Sequence, residues 1–246
     1  MDKDKHKAKA ALEPRTARRI VVAIDGPAGS GKSTLAARLA RKYGYTNIES
    51  GAMYRALALK ALQQGVALDD SEALGRLARQ SRIELRPRAD SNQVLLDGND
   101  VTERIRFQDV TEAASKVSVH PPVREWMVRR QQEIGGGGGI VMEGRDIGTK
   151  VFPQAEVKIF LDAAPEVRGS RRFLQDPGAT AKEASVLAEL RARDERDRTR
   201  ASSPLIPAPD AVIIDSTHMT LDQVVEKAVG IVEEYLQSTK QRGSHR

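Results

Sequence analysis

The eight residues 26–33, read Gly-Pro-Ala-Gly-Ser-Gly-Lys-Ser, constrain the fold of this chain more than any other stretch. They match the pattern G-x-x-x-x-G-K-[ST], in which a glycine-rich loop turns its backbone N–H groups inward around phosphate oxygens. Residues 19–25 before the loop are apolar and β-branched, which predicts a buried parallel strand. Residues 34–42 after it have the periodicity of an amphipathic helix. This strand–loop–helix context predicts a site for a nucleoside triphosphate.

The side chains that close this phosphate loop (residues 26–33) carry its chemistry. Lys32 can reach the β- and γ-phosphates, and the Ser33 hydroxyl can ligate Mg²⁺. The alternative is a glycine-rich turn with a chance lysine, which would not require the full motif between a strand and a helix. We expect the triphosphate to be bound by the loop and the first helical residue, namely Gly26, Pro27, Ala28, Gly29, Ser30, Gly31, Lys32, Ser33 and Thr34.

The composition narrows the class of protein. The 246 residues are enough for one α/β domain with an insertion or for two small domains. The absence of cysteine excludes disulfides, thiolate metal sites and cysteine nucleophiles, and it fits a reducing compartment such as the cytoplasm. No run of apolar residues approaches the length of a membrane span, so we expect no membrane contact. The four histidines are scattered, which argues against a metal site or a histidine-based triad.

The formal net charge of +6 does not indicate a nucleic-acid partner. Residues 1–19 carry seven basic and three acidic side chains, and residues 240–246 add three basic ones, so the body between them is close to neutral. Both ends are polar and aperiodic, and we expect them to be disordered tails. A regulatory or nucleic-acid-binding protein built on the phosphate loop stays open as an alternative, but it would need a basic patch in the body.

The strand pattern predicts a doubly wound α/β fold. Five short apolar segments alternate with helical stretches, which is typical of a parallel sheet flanked by helices. These five segments are residues 19–25, 45–49, 140–143, 157–161 and 211–215. Residues 83–86 and 93–97, followed by an Asp-Gly-Asn-Asp turn, predict a small antiparallel patch inserted between the second and third parallel strands.

Several boundaries follow from local signals. Ser71 is expected to cap a helix over residues 72–80, and Thr220 is expected to cap the last helix, which runs through Leu236. The five glycines 135–139 predict a flexible connection that stops the preceding helix.

Three clusters of polar residues fall beyond the loop, and each contains arginine. Residues 50–55 follow the second strand and include Arg55, residues 143–148 follow the third and include Arg145, and residues 191–200 form an Arg-rich helical segment. The carboxyl ends of parallel strands meet at the ligand-binding edge of such a sheet. Arginine is suited to phosphoryl transfer, because that chemistry depends mainly on positioning and charge neutralisation. A solvated helix face is the alternative for the third cluster.

Together these motifs resemble the bacterial cytidylate kinases. The resemblance rests on residues 24–33, 49–55, 143–149 and 193–200, and it covers about residues 20–236. It implies a nucleoside monophosphate kinase with three parts: a core, an insertion that binds the monophosphate, and a mobile lid. In this chain the domain would span residues 20–239, with the core at 20–59, 121–171 and 196–239, the insertion at about 60–120 and the lid at about 172–195.

The same resemblance implies a set of substrate contacts. The phosphate of CMP would be held by Arg55, Arg145 and Arg193. The cytosine would be read by three further residues, Ser115, Arg124 and Asp146. Four more positions match the nucleotide site, with Asp197 at the sugar, and they are Ser50, Tyr54, Asp197 and Arg200. The catalytic charges would be Lys32, Arg145, Arg193 and Arg200.

The activity that the resemblance implies is phosphoryl transfer from ATP to CMP or dCMP, with Mg²⁺ bound through Ser33, in a monomeric protein. Small-molecule substrates, rather than a nucleic acid or a membrane, are the expected partners. The first alternative is a kinase of another small acceptor on the same core, such as shikimate, gluconate or dephospho-coenzyme A.

Deleting residues 1–17 and 240–246 is expected to leave thermal stability and CMP phosphorylation nearly unchanged, because the change removes charge outside the inferred core. Thermal unfolding and a coupled ADP assay on the trimmed protein test this. A loss of soluble protein would show that one of the tails packs on the body.

Overall fold

The computed structural model describes residues 19–88, 91–174 and 183–243. Within these ranges the strands are β1 (Val21–Asp25), β2 (Thr46–Glu49), β3 (Ile83–Pro87), β4 (Asn92–Leu96), β5 (Asn99–Asp100), β6 (Ile140–Gly144), β7 (Val157–Asp162) and β8 (Val212–Asp215). The helices are α1 (Lys32–Tyr43), α2 (Ser50–Gln63), α3 (Ser71–Arg79), α4 (Gln108–Val117), α5 (Pro121–Gly135), α6 (Pro165–Leu174), α7 (Glu183–Thr199) and α8 (Leu221–Gly243). A 3₁₀ turn at Arg104–Arg106 and a π-helical turn at Ile147–Val151 complete the set.

The predicted five-stranded parallel sheet is confirmed, with strand order β2-β6-β1-β7-β8. The central strand β1 pairs with β6 on one side and β7 on the other. The register places Asp25 beside Gly144, and Glu49 beside Glu143. The carboxyl ends of β1, β2 and β6 are therefore level, and the segments that follow them leave from one edge.

Helices cover both faces of the sheet because successive side chains of each buried strand point to opposite sides. Val141 on β6 packs in a cluster with residues of α1 and α8, whereas its neighbour Met142 packs in a second cluster with Ile147 of the π-helical turn. Both strand residues are fully buried. This continuous burial explains why the strand reads as an unbroken apolar run.

The predicted antiparallel patch is a three-stranded sheet in the order β3-β4-β5. It packs with α2, α3, α4 and α5 around a third hydrophobic cluster, which includes Leu57, Leu74, Val94 and Met127. The helix α2 runs without a break through residue 60, where the insertion is predicted to begin. The division of the chain into core, insertion and lid stays a prediction.

Asn92 joins the antiparallel sheet to the edge of the main one. Its Nδ2 donates to the Asn47 carbonyl at 2.8 Å, and its Oδ1 accepts from the Glu49 N–H at 3.1 Å. The side-chain amide therefore satisfies two backbone groups of the edge strand β2, as a paired strand would. Asn92 is 2 % exposed, so no water replaces these bonds easily.

Two of the local predictions are wrong. Ser71 is the first residue of α3, and the cap is its neighbour Asp70, whose carboxylate accepts from the Ala73 N–H at 2.9 Å. The glycine run 135–139 is an ordered turn rather than a flexible connection. Gly138 has a φ of 63°, and a Cβ there would lie 2.3 Å from the Arg19 carbonyl oxygen. Glycine is needed at this position because the two chain segments touch through their backbones.

The folded part of the chain extends slightly beyond residues 20–239, the limits predicted for the domain. The Arg19 backbone packs against Gly138, and α8 continues through residues 240–243. The remaining residues of the two predicted tails lie outside the described ranges, as do residues 175–182 of the predicted lid. The cap at Thr220 is confirmed, since its Oγ1 accepts from the Gln223 N–H at 3.3 Å. No helix in the described ranges is both long enough and apolar enough to cross a membrane.

Replacing Asn92 with alanine is expected to lower the free energy of unfolding by about 1–3 kcal/mol, because it leaves two partly buried backbone groups of β2 without their side-chain partner. Urea unfolding of the variant and the parent measures the difference. The matched control is Gln93→Ala on the same strand, which removes an exposed bond to Asp100. Equal losses in the two variants would contradict the role given to Asn92.

Candidate functional site

The phosphate loop has the backbone geometry that its sequence predicts. Gly26 has a φ of 149°, and a Cβ there would lie 2.0 Å from the Leu161 carbonyl oxygen of β7, so no other residue fits. Gly31, with a φ of 97°, precedes α1 and offers no side-chain cap. The first N–H groups of α1 therefore lack intrahelical partners and can bind an anion at the positive end of the helix dipole.

Lys32 is the first residue of α1 and is 5 % exposed. Its Nζ donates to the Pro27 carbonyl at 2.7 Å, inside the loop. Burial, followed by the positive charge of Arg145, lowers the pKa of Lys32 to about 7. An anionic phosphate at this position would favour the charged form of the lysine.

Ser33 and Glu143 place two oxygen ligands beside the loop. The Ser33 Oγ donates to the Glu143 Oε1 at 2.9 Å, so the hydroxyl of α1 and the carboxylate at the end of β6 are neighbours. Burial raises the pKa of Glu143, and the charge of Lys32 opposes that rise. In the described residues no cluster of three or more His, Cys, Asp or Glu side chains could hold a metal. A hydroxyl and one carboxylate fit Mg²⁺, which keeps several waters and binds substrate phosphates.

Asp25 ends β1, directly before the phosphate loop, and sequence analysis did not single it out. Its two carboxylate oxygens accept from the Ile147 N–H at 2.8 Å and from the Gly148 N–H at 2.7 Å. It thereby fixes the start of the π-helical turn that follows Asp146. Burial raises the pKa of Asp25 to about 7, although both N–H bonds oppose the rise. An acidic residue at the end of a buried strand is the sequence signal that could have identified it.

Arg145 and Asp197 connect the loop after β6 to helix α7. The Arg145 Nε donates to the Asp197 Oδ2 at 2.9 Å. Burial would lower the pKa of Arg145, but the charge of Asp197 raises it above the usual value. Asp197 also lies 3.7 Å from Arg200, one helical turn away. The charges of these arginines hold the pKa of Asp197 below its usual range despite burial.

A second buried cluster of charged side chains lies where α5 meets the loop after β6. Arg124 of α5 forms an ion pair with Asp146, and the two side chains are 3 % and 7 % exposed. Its Nη1 donates to the Ser118 carbonyl at 3.0 Å, and its guanidinium lies 5.6 Å from the centre of the Tyr54 ring. The Arg200 Nη2 is 3.9 Å from Asp146. The predicted base contacts Arg124 and Asp146 therefore meet.

Arg193 and Arg55 have polar atoms that are left unsatisfied. In both side chains the Nε is buried and has no hydrogen-bond partner among the described residues. Burial and then the charge of Arg145 lower the pKa of Arg193 to about 10, with a smaller contribution from Arg55. Arg55 forms an ion pair with Glu49 at the end of β2. Arg193 is therefore close enough to Arg145 and to Arg55 for their charges to repel its own, which an anion between them would relieve.

Two predicted serines have partners of their own. The Ser50 Oγ donates to the Glu143 carbonyl at 2.7 Å, so it secures the junction of β6 and α2. Ser115, on α4, accepts from the Arg196 Nε at 3.2 Å. Arg196 is absent from the predicted site, and its contact links the insertion to α7. Thr34, by contrast, is exposed in the first turn of α1.

The sequence analysis did not single out the buried residue Arg168, and it included Asp194 only as part of the Arg-rich segment 191–200. Arg168 lies on α6, which also carries Arg171 and Arg172, and none of the three was singled out from the sequence. Its Nη1 is 2.5 Å from the Asp194 Oδ2 on α7, and it contacts the phosphate loop as well. The proline at the start of α6 and the spacing of the arginines reveal a helix but not which arginine is buried.

Comparison with known proteins finds that the chain is similar to cytidylate kinases. The family model for cytidylate kinase matches residues 22–234. The chain is 46% identical over 220 residues to a cytidylate kinase of Pasteurella multocida, with 89% of this chain and 97% of that protein covered. It is 48% identical over 218 residues to the cytidylate kinase of Vibrio cholerae, with coverages of 88% and 97%. For the cytidylate kinase of Solibacter usitatus the identity is 50% over 220 residues, with coverages of 87% and 93%.

The pKa of Asp25 predicts a pH-dependent stability. Its folded pKa of about 7 exceeds the ordinary value of 3.8, so the folded state binds the proton more tightly. The stability that this proton gives is complete below pH 4 and is lost as the pH rises through 7. Replacing Asp25 with asparagine removes that loss, with a slope difference of at most about 1.4 kcal/mol per pH unit.

Urea unfolding of the parent and Asp25→Asn between pH 4 and 8 measures this difference. The variant loses a hydrogen bond, so the slope against pH is the diagnostic quantity rather than the stability at one pH. Asp69→Asn, in the exposed segment between α2 and α3, is the control and should follow the parent. Parallel curves for the parent and Asp25→Asn would contradict the prediction.

Proposed function

The chain belongs to the cytidylate kinase family, and from this premise we propose a mechanism in which Mg²⁺-ATP gives its γ-phosphoryl group to CMP or dCMP. The chain is a nucleoside monophosphate kinase that acts on small nucleotides. The observation that carries the finer proposal is the position of the buried Arg124–Asp146 pair. It lies at the same sheet edge as the phosphate loop and the arginines 55, 145 and 193.

The phosphate loop would hold the donor. Its inward N–H groups and the dipole of α1 bind the triphosphate, and Lys32 exchanges its bond to the Pro27 carbonyl for phosphate oxygens. Ser33, with Glu143 behind it, would hold Mg²⁺, which supplies charge neutralisation at the phosphates when bound. The low pKa of Lys32 in the unliganded site means that nucleotide binding draws a proton onto the lysine above pH 7.

The arginines would hold the acceptor. Arg55, Arg145 and Arg193 surround the phosphate of CMP, whose oxygen forms a new bond to the γ-phosphorus of ATP. The bond from that phosphorus to the β–γ bridging oxygen breaks, and the electron pair leaves with ADP. No general base is required, because the attacking phosphate is already an anion at neutral pH. The fixed positive charges lower the barrier by stabilising charge that spreads over the migrating group.

The Arg124–Asp146 pair would select cytosine. The Asp146 carboxylate can accept from the C4 amino group, and Arg124 can donate to N3 and O2. Uracil would place its C4 oxygen against the carboxylate and its N3–H against the arginine. Mismatched buried polar groups cost about 1–3 kcal/mol each, which amounts to a CMP preference over UMP of roughly 10²–10⁴ for two mismatches. Ser115 would contribute to the same pocket, with Tyr54 covering Arg124 and Asp197 facing the sugar.

A panel of acceptors tests the proposal directly. ADP release is measured with ATP and Mg²⁺ in the presence of CMP, dCMP, UMP, AMP, GMP, shikimate or gluconate. CMP and dCMP are expected to give the largest kcat/KM. A larger value with a non-nucleotide acceptor would refute the assignment of the acceptor while leaving the ATP site in place.

Replacing Asp146 with asparagine is expected to narrow the CMP/UMP ratio of kcat/KM by about tenfold or more. The carboxamide keeps the size of the side chain near Arg124, but it can turn its amino group toward the C4 oxygen of uracil. Each 1.4 kcal/mol of lost discrimination corresponds to one factor of ten.

The control for this variant is Asp162→Asn. Asp162 ends the neighbouring strand β7, and its Oδ1 accepts from the adjacent Ala163 N–H. The Asp162→Asn variant should keep the CMP/UMP ratio of kcat/KM at the parent value. An unchanged ratio in Asp146→Asn would show that Asp146 does not read the base.

A further inference from the structure

Arg168 occupies a junction between three parts of the site, although no motif includes it. It lies on α6 and is 3 % exposed. Its Nε donates to the Ala163 carbonyl after β7 at 2.8 Å, and its Nη1 donates to the Ala28 carbonyl of the phosphate loop at 2.9 Å. The same Nη1 lies 2.5 Å from the Asp194 carboxylate of α7. One buried guanidinium therefore binds the sheet, the loop and the helix that carries Arg193.

The hydrogen bond from Arg168 to the Ala28 carbonyl sets the orientation of the Ala28–Gly29 peptide in the phosphate loop. The C=O and the N–H of a trans peptide point in opposite directions, so holding the Ala28 carbonyl toward α6 turns the Gly29 N–H the other way. This is the arrangement that a loop of inward N–H groups requires. A Cβ on Gly29 would lie 2.9 Å from the Arg168 carbonyl oxygen, so the loop also rests on the backbone of α6.

The contact with α7 fixes the face that this helix presents. Asp194 is 7 % exposed, and its Oδ1 has no hydrogen-bond partner in the described part of the chain, so the ion pair with Arg168 anchors this carboxylate. Asp197, three residues later on the same helix face, binds Arg145. Asp194 and Asp197 lie one turn apart on α7. Through Arg168 the first joins α7 to the phosphate loop, and through Arg145 the second joins it to the loop after β6.

We propose that Arg168 is a positioning residue that couples the two nucleotide sites. Binding of ATP by the loop sets the Ala28 peptide, Arg168 transmits that setting to Asp194, and α7 then presents Arg193 and Asp197 to the acceptor. The link runs through the hydrogen bonds of Arg168 to the Ala28 carbonyl and to Asp194, then along one turn of α7 to Asp197, which accepts from Arg145. The inference rests on the proposed function, because the ligands that it couples are ATP and CMP.

The test is the effect of one nucleotide on the binding of the other. Calorimetry measures the Kd of CMP with and without a non-hydrolysable ATP analogue and Mg²⁺. In the parent we expect the analogue to tighten CMP binding by about tenfold. In Arg168→Lys the ratio should approach one, because the lysine Nζ ends one atom short of the place of the Arg168 Nη1, the atom that bonds to both the Ala28 carbonyl and Asp194. Asp194→Asn should do the same, and kcat should fall about tenfold or more while KM changes less.

A matched control separates coupling from simple packing of α6 on α7. Glu166 and Arg191 form an exposed ion pair between the same two helices, with a distance of 2.6 Å. Glu166→Gln removes this ion pair and leaves the contact between Arg168 and the phosphate loop in place. This variant should keep the parent kcat and the parent ratio of the CMP Kd values without and with the ATP analogue. If Arg168→Lys does not fold, Asp194→Asn gives the answer alone.

Two results would overturn the proposal. One is a parent that shows no coupling, and the other is a folded Arg168→Lys or Asp194→Asn that keeps the parent ratio and kcat. A parent that fails to phosphorylate CMP would instead refute the proposed acceptor, so the two failures are distinguishable.

Discussion

The site depends on the pairing of buried arginines with buried carboxylates. Phosphoryl transfer requires positive charge in a place shielded from water, and an unpaired buried charge is strongly destabilising. Each arginine that the fold buries here has an acidic partner from another element or another turn: Arg124 has Asp146, Arg145 has Asp197, and Arg168 has Asp194. Arg193 differs from these three, because it forms no ion pair or hydrogen bond among the described residues, although the charge of Asp197 favours its cationic form. The arginines with acidic partners are held in place, and this difference is consistent with the proposed role of Arg193 as a substrate contact.

This pairing explains how α7 is oriented although it has little buried apolar surface. Its acidic residues Asp194 and Asp197 lie one turn apart and point into the site, where they meet Arg168 of α6 and Arg145 of the loop after β6. Leu190 is its buried apolar residue. Ion pairs with directed geometry therefore replace part of the hydrophobic stripe that usually orients a helix. The same contacts place Arg193 beside Arg145.

Local patterns predicted the fold well and the contacts poorly. The strand–loop–helix arrangement around residues 26–33, the five parallel strands and the cap at Thr220 are signals carried by neighbouring residues, and the structure confirms all three. The cap of α3 was assigned to Ser71 instead of Asp70 because adjacent residues of equal capping quality differ only in where the helix begins. Asp25, Arg168 and Arg196 were missed because their partners come from strands and helices distant in the chain. No pattern in residues 165–174 distinguishes the buried arginine from the exposed ones.

In the phosphate loop, contacts with neighbouring elements determine which positions must be glycine. Gly26 must be glycine because β7 lies against it, with the Leu161 carbonyl at the place where a Cβ would be. Gly29 is confined by the backbone of Arg168 in the same way. The glycines of the motif are thus required by the elements that pack on the outer side of the loop, in addition to the phosphate proposed for its inner side. Because β7 and α6 support the loop from outside, a displacement of α6 would change the direction of the N–H groups that bind the donor. The donor site and the acceptor arginines are therefore parts of a single packed unit, and the geometry of one limits the geometry of the other.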